Sequence, residues 1–327
     1  MIPIYFIVLI LAFVLMFKSA DFFIEGSVGL AQVFDLPKLV VGIVLVGLAT
    51  TAPELAVSVQ SAYLGHPEIA LGNAIGSVIV DDGVALALAG LLAAGPIFVN
   101  CRLIRFVGAF LLGIDLAAFL LALNGTIGRL EGLIFLVLLV VYYIILIKNR
   151  DIGETFAAEE EKLLKDIKKV RSTRYQQLKK SSFYFGGGII GVLLTSRLVI
   201  WSATNIARSF SISETVIGLT IIAIGTSLPE ISTCIVAARK GEGEIAVGDI
   251  IGADILNILW IIGASALVNP IDVELKVIYF SFPAMLIIVT TMLLSLNIGC
   301  RLTKPRSALL LGLYVIYFFL VMKFFVF

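Results

Sequence analysis

Apolar residues run through this chain in long blocks separated by short polar breaks. Ten blocks approach the roughly 20 residues that an α-helix needs to cross about 30 Å of hydrocarbon. They cover residues 4–34, 39–64, 68–92, 103–123, 127–147, 183–210, 215–239, 244–268, 273–296 and 307–325. The first is long enough to require tilt. No small-residue cleavage site follows it, so it reads as a retained helix. A closed β-barrel would need alternating polarity, which is absent. The expected fold is an all-α polytopic membrane protein.

One long polar tract, 148–182, divides these helices five and five. It carries Glu159, Glu160 and Glu161, then Lys168, Lys169, Arg171, Lys179 and Lys180, and reads as a solvated connector. The domains expected are 1–147, the charged linker 148–182, and 183–327. Lys and Arg mark cytoplasmic loops. The linker side holds Lys38, Arg102, Arg105, Arg239, Lys240, Arg301, Lys304 and Arg306, whereas the other side has Arg129, Arg208 and Lys276. Both termini are therefore expected outside and the linker inside, in the plasma membrane of a prokaryote. Five helices per half would invert the second half relative to the first. A gapless repeat agrees: at an offset of 176 (230 − 54), Gly42/Gly218, Thr50/Thr226, Pro53/Pro229, Glu54/Glu230, Gly65/Gly241, Gly72/Gly248 and Gly76/Gly252 coincide. The chain thus reads as ten transmembrane helices in two inverted five-helix repeats.

Composition adds little except by exclusion. The chain is 60% hydrophobic and 14% charged, so nearly all of it outside the linker is spanning material. A net charge of +1 gives no footprint for nucleic acid, and no obligate protein partner is evident. Cys101, Cys234 and Cys300 lack metal-ligand spacing and read as free thiols packing as small hydrophobes.

The candidate chemistry lies in two Pro-Glu breaks, Ala-Thr-Thr-Ala-Pro-Glu (49–54) and Gly-Thr-Ser-Leu-Pro-Glu (225–230). An ionisable group inside a span costs roughly 3 kcal/mol on insertion scales and is by default functional. With hairpin turns near Gly65 and Gly241, Glu54 and Ser77 lie about 17 Å deep at 1.5 Å per residue. Asp81 is one turn further along, and Glu230, Ala253 and Asn257 occupy the equivalent depths. Hairpins entering from opposite faces would meet at the midplane, as in secondary transporters. Pro53 and Pro229 lack an N–H, which frees backbone carbonyls upstream. Thr50, Thr51, Thr226, Ser227 and Ser77 add hydroxyls, giving an oxygen-only donor set suited to Ca²⁺, Na⁺ or Mg²⁺.

These two breaks, with Gly-Asn-Ala-Ile-Gly-Ser (72–77) and Gly-Asp-Ile-Ile-Gly-Ala (248–253), resemble the two α-repeats of the cation/calcium exchanger superfamily, nearest its prokaryotic sodium/calcium exchanger branch. The run Ser-Ala-Asp-Phe-Phe-Ile-Glu-Gly-Ser (19–27) resembles that family's first helix. The resemblance implies an antiporter moving Ca²⁺ out against Na⁺, both as transported ions, with no cofactor. Glu54 and Glu230 would bridge the ion sites. Thr50, Thr226 and the carbonyls of Gly47 and Ala223 would complete them, and Ser77 would serve Na⁺. The first and sixth helices would slide past the other eight. Departures from the family pattern are Asp81 and Asn257, which exchange the usual Asn and Asp, Ala253 in place of Ser, Asp254 in place of Asn, and Arg197 in place of an acid. Asp82 and Asp249 add acidic groups nearby.

Three functions remain to be weighed. Na⁺/Ca²⁺ antiport fits best. H⁺/Ca²⁺ antiport is favoured by Ala253 and the added acids, since a buried carboxyl can carry a proton. A passive channel would not need duplicated buried anionic sites. An enzyme is not expected: an intramembrane metalloprotease needs histidines, and the single histidine, His66, reads as a plain loop residue at a hairpin turn.

Overall fold

The computed structural model describes residues 2–33, 51–148, 174–239, 241 and 243–326. Its helices in chain order are α1 (Ile2–Val33), α2 (Ala52–Tyr63), α3 (Pro67–Val80), α4 (Cys101–Ala122), α5 (Arg129–Lys148) and α6 (Arg174–Phe210). They continue with α7 (Glu214–Ile217, extended to Thr226), α8 (Leu228–Arg239), α9 (Gly243–Leu256), α10 (Phe282–Asn297) and α11 (Lys304–Val321). Helix α3 continues through a wide π turn, Asp81–Leu86, into Ala87–Leu92, and α9 does the same through Asn257–Ile262 into Gly263–Val268. Seven of these helices are long and apolar enough to cross a membrane, or eight if the bent pair α7–α8 counts as one span.

The boundaries of α2/α8, α3/α9 and the two π turns recur at the same offset of 176 (for α2/α8, 228 − 52). Both hairpin turns use a glycine in the left-handed region, Gly65 at φ 88° and Gly241 at φ 80°, where a side chain would be strained. Pro67 begins α3 at a position where its missing N–H costs nothing.

Four two-residue strands, β1 (Ile97–Phe98), β2 (Thr126–Ile127), β3 (Ile271–Asp272) and β4 (Arg301–Leu302), form two antiparallel ribbons. β1 pairs with β4, and β2 with β3. Each ribbon therefore takes one strand from either side of the linker. Matching backbone bonds extend them, from the Val99 amide to the Cys300 carbonyl (3.0 Å) and from the Val273 amide to the Gly125 carbonyl (2.8 Å).

Helices α3 and α9 are the centre of the bundle. Their spans are 78% and 72% buried, against 17% for α11, whose flank is left apolar and open to lipid. Packing separates into two clusters. The larger includes Leu71, Ile75, Ile79, Leu111, Phe135, Ile250, Ile258, Phe282 and Leu310. The smaller joins α1 and α6 through Leu9, Phe13, Met16, Val192, Val199 and Ala203, and reaches α2, α3 and α7 through Val57, Ile69 and Ile217. Glycines allow the close α1–α6 seam: a Cβ on Gly26 would run into the Phe185 backbone, and one on Gly188 into that of Phe23. Rings of Phe22 and Tyr184 stack across it at 5.4 Å.

The reading of all three cysteines as free thiols is corrected. Cys101 and Cys300 form a disulfide with Cα atoms 5.2 Å apart, whereas Cys234 is free and buried. The two partners are 199 residues apart, and the β1–β4 pairing, with α4 packed on α10 at Gly108 and Leu293, brings their segments together. Spacing along the chain carries no trace of that pairing. Denatured without reductant, the protein should take up one maleimide, and after reduction three, as read by intact mass. Cys300→Ser should lower stability by about 2–4 kcal/mol in thermal unfolding of the detergent-solubilised protein.

Candidate cation site

The two Pro-Glu breaks have almost the same backbone. Thr51 caps α2 at φ −83°, ψ 5°, and Ser227 lies between α7 and α8 at φ −79°, ψ 4°. Prolines at positions 53 and 229 enforce this, because neither can donate to the preceding turn and each ring crowds it. At the second break the axis bends by 43° between Glu214–Thr226 and Leu228–Arg239.

Glu54, Asp81, Glu230 and Asn257 are each 1% exposed. Both carboxylate oxygens of Glu54 and Glu230, Oδ1 of Asp81, Oδ1 of Asn257 and the hydroxyls of Ser77 and Ser227 have no hydrogen-bond partner among the described residues. Glu54 and Asp81 each act electrostatically on Glu230, so the three acids form one anionic region. Unpartnered buried oxygens of this number are costly and call for a cation or protons. Asp81 and Asn257 each open a π turn, a wide turn often found at functional sites.

The remaining expected ligands divide. Thr51 and Thr226 are buried beside the breaks. Thr226 Oγ1 shares its proton between the Ile222 carbonyl (3.0 Å) and Asn73 Oδ1 (3.1 Å). The Ala223 carbonyl, expected to be a free ligand, accepts the Ser227 amide at 3.0 Å and is already engaged in the helix. Gly47 and Thr50 lie outside the described residues. Among the described residues no three acidic, histidine or cysteine side chains converge tightly enough to enclose a metal ion. The donor chemistry fits a hard cation as cargo.

Several residues escaped the sequence reading. Asn73 joins the two breaks: its Nδ2 donates to Ser58 Oγ (3.0 Å) and toward the Glu54 carbonyl (3.4 Å), while its Oδ1 accepts from Thr226. It lies within the quoted motif at 72–77 but was not singled out. Asp115 of α4 is fully buried with both oxygens unpartnered, and Asp82 acts on it electrostatically. A single acid midway along an apolar span, ten residues past its last arginine, was its signal. Asp254 is fully buried as well, and Asp82 and Asp254 interact directly. Arg197 is exposed. His66 is no plain loop residue: its Nδ1 lies 2.6 Å from Glu214 Oε2.

Close packing holds the breaks together. A Cβ on Gly72 would meet the Thr215 carbonyl and Leu219, and one on Gly76 would meet Ala223 and Leu219. A Cβ on Gly225 would enter the Phe13 ring, so α1 touches the second break directly. Ser196 Oγ donates to Gln60 Oε1 at 2.7 Å, tying α6 to α2.

With this geometry in view, the model of the sodium/calcium exchanger protein family matches residues 4–148 and 180–323. The chain belongs to that family. It is therefore an integral membrane protein from a family of exchangers. It is 33% identical to inner membrane protein YrbG of Escherichia coli over 81% of this chain and 80% of that one. It is 27% identical to sodium/calcium exchanger MaX1 of Methanosarcina acetivorans over the full length of both. The solved structure of the sodium-calcium exchanger NCX_Mj soaked with Na⁺ and Sr²⁺ superposes with a TM-score of 0.63 at 25% identity, covering 97% of this chain and 98% of that one.

Asn73→Ala should leave Ser58 and the Glu54 carbonyl without their shared donor. We expect a loss of about 1–3 kcal/mol, read as a lower thermal midpoint in detergent, with helix content unchanged by circular dichroism.

Proposed function

We propose that this chain is a secondary antiporter that exchanges Ca²⁺ for Na⁺ by alternating access. The observation that carries this reading is the pair Glu54 and Glu230, buried at matching breaks, whose carboxylate oxygens have no close hydrogen-bond partner among the described residues apart from the Thr226 hydroxyl beside Glu54. A charge left so exposed to low dielectric is tolerable only where a cation or proton regularly neutralises it. Sodium/calcium exchanger MaX1 and the solved sodium-calcium exchanger NCX_Mj, both similar over nearly the whole chain, add support as exchangers of these two ions.

The architecture under this proposal is ten spans as two inverted five-helix repeats, 1–147 and 183–327, joined by the linker 148–182. The recurrence of helix ends at 176 residues and the reciprocal ribbons β1–β4 and β2–β3 support it. In our reading Glu54, Glu230, Asp81 and Asn257 are the central ligands, with Thr50, Thr51, Thr226, Ser227 and Ser77 supplying hydroxyls. The Gly47 and Ala223 carbonyls would join them after the break shifts. The moving unit is α1 with α6, which has its own apolar cluster and glycine seam and touches the site through Phe13 against Gly225. We place the linker face in the cytoplasm on its excess of Lys and Arg. The Cys101–Cys300 disulfide on that face pulls the other way, since disulfides favour oxidising compartments. Membrane-impermeant labelling of a cysteine placed at position 160 in intact cells separates the two orientations.

A second reading, H⁺/Ca²⁺ antiport, has a specific basis. Ala253 supplies no hydroxyl opposite Ser77, while Asp82, Asp115 and Asp254 add three fully buried carboxyls beside the site. Ca²⁺ uptake into proteoliposomes separates the readings. An outward Na⁺ gradient should drive it without a pH gradient, and uptake driven by the pH gradient alone would overturn Na⁺ as counter-ion. Glu54→Gln and Glu230→Gln should each weaken Ca²⁺ by about thirtyfold to several thousandfold, because a buried charged contact contributes roughly 2–5 kcal/mol and each 1.4 is about tenfold. Ala253→Ser should steepen the Na⁺ dependence of uptake. An unchanged Na⁺ affinity and Hill slope would show that the missing hydroxyl is not a Na⁺ ligand.

A further inference from the structure

His66, the single histidine of the chain, stands at the turn between α2 and α3 and caps α3. Its Nδ1 is 2.6 Å from Oε2 of Glu214, and the two side chains are 25% and 26% exposed, so protons from solvent reach both. Glu214 is the first residue of α7, the half-helix that ends at the second break and carries Thr226. The pair therefore pins the far end of the half-helix whose near end shapes the candidate site. Between those ends α7 lies on α3 through bare backbone, with Gly218 against Ile69, Gly72 and Asn73. At Gly218 backbone meets backbone, while Val216, Ile217 and Leu219 beside it are buried in the apolar clusters shared with α3.

The surroundings of the pair are acidic. Glu68 of α3, Asp272 of β3 and Glu274 just beyond it line a cavity of about 400 Å³ together with Glu214, Thr215 and Val273. Glu68 acts electrostatically on Glu214, Asp272 and His66. Thr215 Oγ1 donates to Glu274 Oε1 at 2.7 Å, a second tie on the first turn of α7. Arg208, in the last turn of α6, is the basic residue on the remaining neighbour. A charged imidazole gives Glu214 a charge-assisted bond, about twice as strong as a neutral one. A neutral imidazole keeps at most the weaker bond and leaves four carboxylates around one cavity. Histidine makes that change of charge across the physiological pH range.

We propose that His66 and Glu214 form a proton-operated latch on α7: with His66 charged, the half-helix is pinned to the α2–α3 turn, and with His66 neutral it is released to move. Its effect on transport rests on the exchanger reading above, but the latch itself does not. Low pH on the turn side would thus hold the second break in one conformation whatever ion is bound.

Hydrogen exchange by mass spectrometry on the purified full chain in detergent tests this, with rates corrected for the intrinsic effect of pH. Amides of 214–226 should lose about threefold to fivefold in protection between about pH 5.5 and about pH 8, the effect of a partly exposed ion pair. His66→Gln and Glu214→Gln should be weakly protected at both pH values, and His66→Lys, with a fixed charge, strongly protected at both. Peptides of α9 should be unchanged in every variant, which excludes general unfolding. A flat wild-type profile, the same pH slope in His66→Gln, or no recovery of protection in His66→Lys would each overturn the latch. Because the readout is the motion of α7 and not flux, the result stands apart from which ions are carried.

Discussion

The cost of an unpaired carboxylate in a low-dielectric interior organises this molecule. Glu54, Glu230 and Asp81 are withdrawn from water and receive almost nothing from the protein in exchange. A fold optimised for stability alone would pair them, or replace them with apolar residues of similar size. Keeping them bare means that the occupied and empty states differ greatly in electrostatic energy. That difference is the quantity an exchanger needs, because it makes an empty site costly to carry across.

The scaffold around the acids follows from that demand. Carbonyls and hydroxyls can be left open within a membrane only where the surrounding protein is rigid enough to keep lipid out. Here α3 and α9 supply the rigidity, since they are the most buried spans and are tied at both ends by the ribbons. The α1–α6 pair is built differently. It packs mainly on itself, with small residues at its seam and fewer anchors to the body. The α1–α6 pair and the central body are thus packed as separate units, and Phe13 at Gly225 is a point of contact between them.

Much of the fold was legible in the sequence because hydrocarbon imposes length and polarity on every span. Most described helix ends, both hairpin glycines and the burial of Glu54, Glu230, Asp81, Asn257, Ser77 and Ser227 followed from run length, offset and depth. The start of α6 did not, since it begins at Arg174, nine residues before the expected 183 and inside the polar tract read as a connector. What escaped was pairing between distant segments. The Cys101–Cys300 bridge and the His66–Glu214 contact each join residues 148 or more positions apart, at helix ends where no periodicity operates. Asn73 was visible as a motif residue, but its role depends on facing Thr226 from the other half. Asp115 was legible in principle as a single acid in an apolar span, yet it has no repeat partner to draw the eye. The engaged Ala223 carbonyl shows a different limit: a motif names the atoms that can bind an ion, while their availability depends on conformation.

The two ribbons carry a consequence for how such a chain could arise. Each pairs a strand from one half with a strand from the other, never two strands of the same half. A half-length ancestor would therefore have displayed two unsatisfied strand edges, one on each face of the membrane. Under the inverted-repeat proposal, it could have closed them by reciprocal pairing with a second copy inserted the opposite way. Fusion of two such copies converts a concentration-dependent partnership into a covalent one, and frees each half to accumulate its own substitutions. The mismatch of Ser77 with Ala253, and of Asp81 with Asn257, is divergence of the kind that two separately encoded halves allow.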